Sequence, residues 1–394
     1  MSFFKSNVDA LTSPIYDRSL WVGKAIFGIV IMVYGYRWIR YRSQIVASQP
    51  GDKATRQLMQ ILAHNSVIHL ASFMFYCFII QPLKQAIGNR YGIWIVPIAS
   101  GTWRQILHTC FCLVVVTPGF IALLSTLVPL NLATVSKPKV RHWDNLYITL
   151  VTKGTNRETV KRSAATMRHI QSLSSRITFI VLTDEGSSVA SLELGVKIVV
   201  VPKSFSPPTA KYKARALEYF RINQQLTDTD WVLHLDEETA VDRHCVLACI
   251  GFIEREPAYE WGQGIILYNT INYWNNSALT FSEIIRFRDD LGRFAFQHGH
   301  IHVPLWGCHG SFLLTSGRVE NAVSWDTDCL AEDFWFANRA WWDYGMGGGF
   351  IPSVAREQSN WSYMDLLKQR RRWFCGMVKI GFFGKANACK FLVF

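Results

Sequence analysis

Consecutive acidic residues at positions 236 to 238 follow a short apolar run and are the first candidates for chemistry. Alternate side chains of an extended chain point to the same side, so Asp236 and Glu238 would lie about 6–7 Å apart. Two carboxylates leave most of an octahedral Mg²⁺ or Mn²⁺ shell open to phosphate oxygens and water. Such a cation neutralises charge on a diphosphate leaving group. The alternative is a solvated acidic turn.

A second candidate is the segment Gln369–Trp373, in which three arginines precede a tryptophan. The planar guanidinium group suits phosphate oxygens, and an indole can stack on a sugar ring. We predict that this segment ends a helix that begins near Ser362 and that it forms a shaped binding site. The alternative is a basic cluster that binds anionic lipid.

Two adjacent acids, Glu332 and Asp333, begin a segment that is rich in aromatic residues. Acidic residues in a first helical turn ordinarily complement the helix dipole. Here, however, Trp335, Phe336 and Trp341 could surround the acids with a partly dry pocket, in which a carboxylate can serve as a general base.

These candidates need structural elements that bring them together. From Leu146 onward, apolar β-branched runs alternate with helical segments, which predicts a parallel α/β sheet. Ligands of such sheets bind beyond the carboxyl ends of the strands, where Lys153, Asp184 and Asp236 are placed by this pattern. The predicted elements are strands Leu146–Thr152, Ile177–Thr183, Val196–Val201 and Trp231–Leu235, and helices Asn156–Leu173 and Tyr212–Leu226.

The composition limits the class of protein. The 394 residues are 49% hydrophobic and only 18% charged, which excludes a disordered chain and a coiled coil. The net charge of +12 is compatible with nucleic acid, an anionic membrane surface or a phosphorylated substrate, and composition alone leaves the three open. Nine cysteines are too few for a disulfide scaffold and indicate buried, reduced thiols.

The first 135 residues differ in character from the rest. Apolar runs at about residues 20–38, 61–81 and 106–132 are predicted to span a membrane, since a span needs about 20 apolar residues. Arginines after the first run place that loop in the cytoplasm, and three spans return the chain to the same side. The alternative is that these runs are core helices of a soluble protein.

The order of the motifs is more specific than any one of them. It resembles membrane-bound inverting glycosyltransferases of family 2, and more narrowly the egghead β-1,4-mannosyltransferases. Thr183–Ser187 is similar to the Asp-Gly-Ser turn that follows the second strand in that family. The resemblance covers about Leu146 to Trp373. Its motifs are Val151–Gly154, Lys211–Leu217, His234–Thr239, Gly262–Gly264, Ala331–Asp333 and Gln369–Trp373.

The resemblance implies a GT-A fold, an α/β architecture in which a Rossmann-like mixed sheet has helices on both faces, together with N-terminal transmembrane helices. Residues 1–135 would form the membrane region with about three spans, and residues 140–373 the glycosyltransferase domain. Residues 374–394 would form a C-terminal tail, either truncated or interfacial.

The resemblance also implies a role for individual residues. Asp333 would be the general base, and Asp184 would contact the nucleotide. Asp236 and Glu238 would hold Mg²⁺ or Mn²⁺ on the diphosphate. The other predicted substrate-binding residues are Lys153, Lys211, Lys213, Glu332, His309, Gly310, Ser311, Gln369, Arg370, Arg372 and Trp373.

The reaction implied is transfer of a hexose to a lipid-linked sugar acceptor such as glucosylceramide, by a single displacement that forms a β-glycosidic bond. GDP-mannose is the favoured donor because the family uses it; the motifs themselves do not distinguish mannose from glucose or N-acetylglucosamine. The expected partners are the nucleotide sugar, a glycolipid and a membrane, with no nucleic acid.

The expected location is the endoplasmic reticulum or Golgi, as an integral membrane protein whose catalytic domain faces the cytoplasm. One alternative function is a processive family 2 polysaccharide synthase, chitin- or hyaluronan-like, with a UDP-sugar donor. A second alternative is a non-enzymatic membrane adaptor that binds anionic lipid.

Overall fold

A computed structural model describes residues 28–29, 31–43, 60, 142–168, 170–254, 259–268 and 276–383. The chain divides into two compact units. The first comprises Met1–Gln49 and Arg56–Thr117, and the second comprises Pro50–Thr55 and Pro118–Phe394.

In the first unit, residues 31–43 form helix α1. Arg37 and Tyr41 are buried, and the guanidinium of Arg37 lies 5.8 Å from the ring centroid of Tyr41. Of the predicted span at 20–38, residues 28–29 and 31–38 are described and are helical, and the others lie outside the described residues. The other two predicted spans, 61–81 and 106–132, lie outside the described residues.

The predicted location requires a correction. Among the described residues, no helix combines the length and the apolar character that a membrane crossing requires. Helix α8, Tyr363–Phe383, is 21 residues long, but the basic residues of its first half and Lys379 interrupt its apolar positions. Charged side chains at a bilayer centre are costly. On this finding, the prediction of an integral membrane protein of the endoplasmic reticulum or Golgi is wrong.

The second unit is built on one eight-stranded sheet with the order β3-β2-β1-β4-β7-β6-β8-β5. Strands β1 to β4 pair in parallel, β7 is antiparallel to both β4 and β6, and β8 is parallel to β6 and antiparallel to β5. The strands are β1 (Leu146–Thr152), β2 (Ile177–Asp184), β3 (Lys197–Val201), β4 (Trp231–Asp236), β5 (Thr239–Ala240), β6 (Trp261–Leu267), β7 (Leu313–Ser316) and β8 (Gly348–Glu357).

Both faces of this sheet are covered by helices, which explains why its central strands are apolar throughout. Along β1, Ile148 and Leu150 belong to the core on one face, while Tyr147 and Val151 belong to the core on the other. The α-helices of this unit are α2 (Arg157–Arg168), α3 (Tyr212–Gln224), α4 (Arg243–Ile253), α5 (Ser277–Asp289), α6 (Gly317–Val323), α7 (Glu332–Tyr344) and α8. Two short π-helical segments, Asp290–Phe294 and Gln297–Ile301, follow α5.

The predicted elements agree with these bounds to within a few residues, except for the first helix. The predicted helix Asn156–Leu173 is divided into α2 and a separate 3₁₀ turn, Gln171–Leu173. The mixed sheet with helices on both faces fits the predicted GT-A-like architecture. The N-terminal transmembrane helices that accompanied this prediction are not confirmed.

Candidate active site

Asp236 is the last residue of β4 and lies next to Val151 of β1, at the carboxyl end of the parallel strands. Its backbone N–H donates to the hydroxyl of Ser311 at 3.2 Å. The Ser311 hydroxyl is in turn 2.7 Å from the hydroxyl of Thr239 on β5. These bonds fix the strand end, so that the Asp236 carboxylate has a defined place at the edge of the sheet.

The side chain of Lys213, from the first turn of α3, joins three separate segments at this edge. Its ammonium pairs with the carboxylate of Asp236, donates to the Gly310 carbonyl at 3.1 Å and lies 3.6 Å from Glu332 Oε1. Burial disfavours the charged ammonium, but the surrounding carboxylates outweigh burial and hold the pKa of Lys213 above its usual value.

Gly310 lies directly against these groups. A Cβ at this position would be 2.7 Å from Lys213 Nζ and 2.9 Å from Asp333 Oδ2. The absence of a side chain therefore allows the ammonium and the Asp333 carboxylate to approach the same backbone from α3 and α7.

Glu332 and Asp333 form the first turn of α7, as predicted. Burial raises the pKa of Asp333 above its usual value, although the Lys213 ammonium opposes this effect. Burial and the neighbouring Asp333 charge raise the pKa of Glu332 to about 7. A carboxylate in such surroundings binds a proton more readily than one in water, which is the property that a general base needs.

Helix α8 packs against the residue that precedes this acidic pair. A Cβ at Gly376 would lie 2.6 Å from the backbone nitrogen of Ala331 and 2.7 Å from its Cβ. The contact is supported by an ion pair of 2.6 Å between Lys379 and Asp328. The basic helix and the start of α7 are thus in direct contact.

Glu238 does not continue the strand, because residues 237 and 238 form a turn between β4 and β5. The extended geometry assumed for Asp236 and Glu238 is therefore absent. Burial, followed by the charges of Glu357, Asp236 and Glu237, raises the pKa of Glu238 to about 8. A bound cation would reduce the electrostatic repulsion among these carboxylates.

The predicted metal ligands can be tested against this donor set. Among the described residues, no group of three or more His, Cys, Asp or Glu side chains is arranged to hold a metal ion. Mg²⁺, however, is commonly held by one or two carboxylates together with substrate phosphates and water. Asp236 and Glu238 would supply the carboxylates of a site of that second kind, which phosphate oxygens and water would complete.

The Gln369–Trp373 segment lies within α8 rather than at its end. Two guanidinium groups contact the indole of Trp373, with Arg370 at 4.7 Å and Arg286 at 4.8 Å from a ring centroid. Gln369 accepts a hydrogen bond of 3.2 Å from Asn360. Cation–π contacts of this kind fix the orientation of the ring.

Positive charge from this region acts on Asp236. Burial favours the protonated form of Asp236, but the Lys213 ammonium, and then Arg372 and Arg286, outweigh burial and lower the pKa of Asp236. Arg372 therefore acts on the same carboxylate as Lys213, as expected if both belong to one site.

Other predicted residues lie apart from this cluster or at its border. Asp184 ends β2, as predicted, and its carboxylate pairs with Arg215 Nη1 at 2.9 Å. Lys153, which follows β1, and Lys211, which precedes α3, are exposed. His309 contacts Asp290 Oδ1 at 2.7 Å.

Two contributing residues, Glu357 and Arg286, were missed in the sequence. Glu357 accepts from the Thr239 hydroxyl at 3.2 Å and lies 3.8 Å from Arg286 Nη2. Its position at the end of β8 is the signal that could have identified it, since the same rule selected Asp184 and Asp236. Arg286 carries no such signal, because only the tertiary packing brings it to the site. Arg215 lies in the Lys211–Leu217 motif, but the sequence assigned it no role.

The chain is similar in sequence to a known family and to curated proteins. Residues 231–393 match the family model described as glycosyl transferase family group 2. The chain is 34% identical over 210 residues to beta-1,4-mannosyltransferase egh of Drosophila melanogaster, which covers 51% of this chain and 44% of that protein. It is 35% identical over 192 residues to beta-1,4-mannosyltransferase bre-3 of Caenorhabditis elegans, covering 46% and 41%. The matches thus span less than half the length of these curated relatives.

Among solved structures, the chain is similar to the mannosyltransferase PcManGT from Pyrobaculum calidifontis, which is in complex with GDP-Man and Mn²⁺. The TM-score is 0.46 at 12% sequence identity, with 67% of this chain and 70% of that chain covered. The curated relatives support the prediction that the protein is a glycosyltransferase. Residues 231–393 thus match glycosyl transferase family group 2, and the predicted resemblance of the chain to the β-1,4-mannosyltransferases is confirmed.

Proposed function

We propose that the protein is an inverting hexosyltransferase that moves mannose from GDP-mannose to a lipid-linked sugar such as glucosylceramide and forms a β-glycosidic bond. The observation that carries this proposal is the gathering of Asp236, Glu332 and Asp333 around the ammonium of Lys213 at one edge of the sheet. A base and a diphosphate-binding carboxylate placed side by side suit a direct displacement at an anomeric carbon.

In this mechanism Asp333 removes the proton from the acceptor hydroxyl. The acceptor oxygen forms its bond to the anomeric carbon as the bond from that carbon to the diphosphate breaks. One displacement inverts the configuration, so an α-linked donor gives a β-linked product. The raised pKa of Asp333, caused by burial, supports its role as the proton acceptor.

The leaving diphosphate requires positive charge. Asp236 and Glu238 would hold Mg²⁺ or Mn²⁺, which neutralises the charge that develops on the phosphates. Arg372 and Lys213 place further positive charge near Asp236. Asp184, at the end of the neighbouring strand β2, would contact the nucleoside.

The transfer of mannose in β linkage draws support from the relatives egh and bre-3, which are named beta-1,4-mannosyltransferases. GDP-mannose and glucosylceramide are what the resemblance in the sequence implies. The remaining predicted substrate-binding residues would line the two ends of the cleft. Gly310 and Ser311 adjoin Lys213 and Asp236, and Trp373 is fixed by its guanidinium neighbours.

A donor panel tests the proposal. Purified protein with Mg²⁺ or Mn²⁺ is offered GDP-mannose, UDP-glucose and UDP-N-acetylglucosamine with glucosylceramide in detergent, and Asp333→Asn is the matched control. We expect transfer of one mannose, in β linkage, by the wild type. Transfer from none of the donors would refute the proposal, and a polymeric product from a UDP-sugar would favour the processive synthase instead.

A further inference from the structure

The ammonium of Lys213 is bound to Asp236, the carboxylate that would also ligate a metal ion. It pairs with Asp236, and it is also held by Glu332 at 3.6 Å and by the Gly310 carbonyl at 3.1 Å. The Lys213 side chain is 23% exposed, so most of its surface faces protein groups. The site thus contains a built-in cation bound to a carboxylate that would ligate the metal.

Two cations on one carboxylate repel each other. A divalent ion bound to Asp236 would lie within a few ångströms of the ammonium, where like charges interact strongly in a partly buried site. The metal therefore has to displace Lys213, or Lys213 has to find another negative partner. Glu332 already contacts the ammonium, but it supplies one charge from a fixed position at the start of α7.

A nucleoside diphosphate supplies the missing partner. Its phosphate oxygens bind a divalent ion and can also accept hydrogen bonds from an ammonium. When the diphosphate enters, Lys213 can transfer from Asp236 to a phosphate oxygen, and Asp236 becomes free to ligate the metal.

We propose that Lys213 couples metal binding to nucleotide binding: it holds Asp236 in the unliganded protein and releases it only when a nucleoside diphosphate arrives. This inference rests on the proposed function, because it assumes a nucleotide sugar as the donor. It differs from a simple phosphate-binding role for Lys213, which would predict no effect on the metal in the absence of nucleotide.

The test measures the affinity for Mn²⁺ alone and with GDP or UDP, by calorimetry and by electron paramagnetic resonance of free Mn²⁺. In the wild type we expect weak binding of Mn²⁺ alone and stronger binding with the nucleotide. Lys213→Met removes the competing charge at similar length. It should bind Mn²⁺ alone at least about tenfold more tightly, as expected for loss of a charge-assisted bond, and should gain less from the nucleotide.

Lys161→Gln is the matched control, because Lys161 lies on α2 and pairs with Glu158 at 2.9 Å. It lowers the net charge equally and should bind Mn²⁺ as the wild type does. If Lys213→Met binds Mn²⁺ no more tightly than the wild type, the inference is overturned. It is also overturned if the wild type binds Mn²⁺ equally well with and without nucleotide, a measurement that needs no variant.

Failure of the proposed function has a different signature. If the wild type binds neither GDP nor UDP in the presence of Mn²⁺, the nucleotide-sugar function is refuted, together with the coupling. If the nucleotide binds but Mn²⁺ affinity does not depend on Lys213, only the coupling is refuted.

Discussion

Gly310→Ala is predicted to reduce catalysis far more than it reduces stability. The new Cβ would lie 2.7 Å from Lys213 Nζ and 2.9 Å from Asp333 Oδ2. Ordinary contacts begin at about 3.5 Å, so each group has to move by about 0.6–0.8 Å. Both atoms are at the ends of side chains, which can move without displacing the backbone.

The magnitudes follow from this difference. A misplacement approaching 1 Å at a reacting group can reduce the rate by about 100-fold. Overpacking usually lowers the free energy of unfolding by about 1–3 kcal/mol. Because the ends of the two side chains can move away from the new Cβ, we expect the lower limit, about 1 kcal/mol. A loss of this size lowers the melting temperature of a domain of this size by about 2–4 °C.

The assay combines kcat and KM for the donor panel with a thermal melt followed by circular dichroism. The control is Gly251→Ala on α4, where no atom lies within 4 Å of the added Cβ, so activity should be unchanged. Wild-type turnover in Gly310→Ala would refute the view that Lys213 and Asp333 must both approach this backbone.

Three further predictions concern single side chains. Asp333→Asn should reduce turnover by about 10²–10⁴-fold with an unchanged melting temperature, because it removes the general base; unchanged turnover would contradict that role. Arg215→Ala should raise KM for the nucleotide sugar about tenfold with kcat little changed, because Asp184 loses its 2.9 Å partner; Arg215→Lys should restore part of the affinity, and a fall in kcat alone would contradict the prediction. Burial lowers the pKa of His298 to about 3, so the unfolded chain binds a proton below about pH 6.5 that the folded chain does not. The contribution of His298 to stability is therefore lost as the pH falls from 6.5 towards 3, by about 2 kcal/mol at pH 5. The buried carboxyl groups with raised pKa act in the opposite direction, but equally in wild type and variant. Between pH 7.5 and pH 5, the unfolding free energy from urea titrations should therefore change by about 2 kcal/mol less favourably in the wild type than in His298→Gln, and equal changes in both would be the opposing result.

The strand ends and the first turn of α7 were predictable from the sequence. Apolar runs and the residues that end them locate Asp184, Asp236 and Glu332 without any tertiary information. The strand ends can be located because parallel strands are buried on both faces and are therefore apolar throughout. The first polar residue after such a run marks the end of the strand.

The contacts between the motifs were not predictable in the same way. Glu238 was expected to continue an extended strand, but the chain turns there to form β5, which pairs with the distant strand β8. Glu357 and Arg286 reach the site through that pairing and through the packing of α5. Such placements depend on side chains that are far apart in sequence, which local periodicity does not report.

The contact of Gly376 with Ala331 links two helices that have different roles in the proposed mechanism. Helix α8 carries Arg372, which lies near the diphosphate site, and α7 carries the general base Asp333. No side chain of Gly376 separates α8 from the peptide just before Glu332, so the two surfaces have little room to slide. A ligand that displaces α8 would have to displace the start of α7 as well. Occupancy at the basic helix and the proton affinity of the acid pair would then be thermodynamically linked, each altering the other by the same free energy.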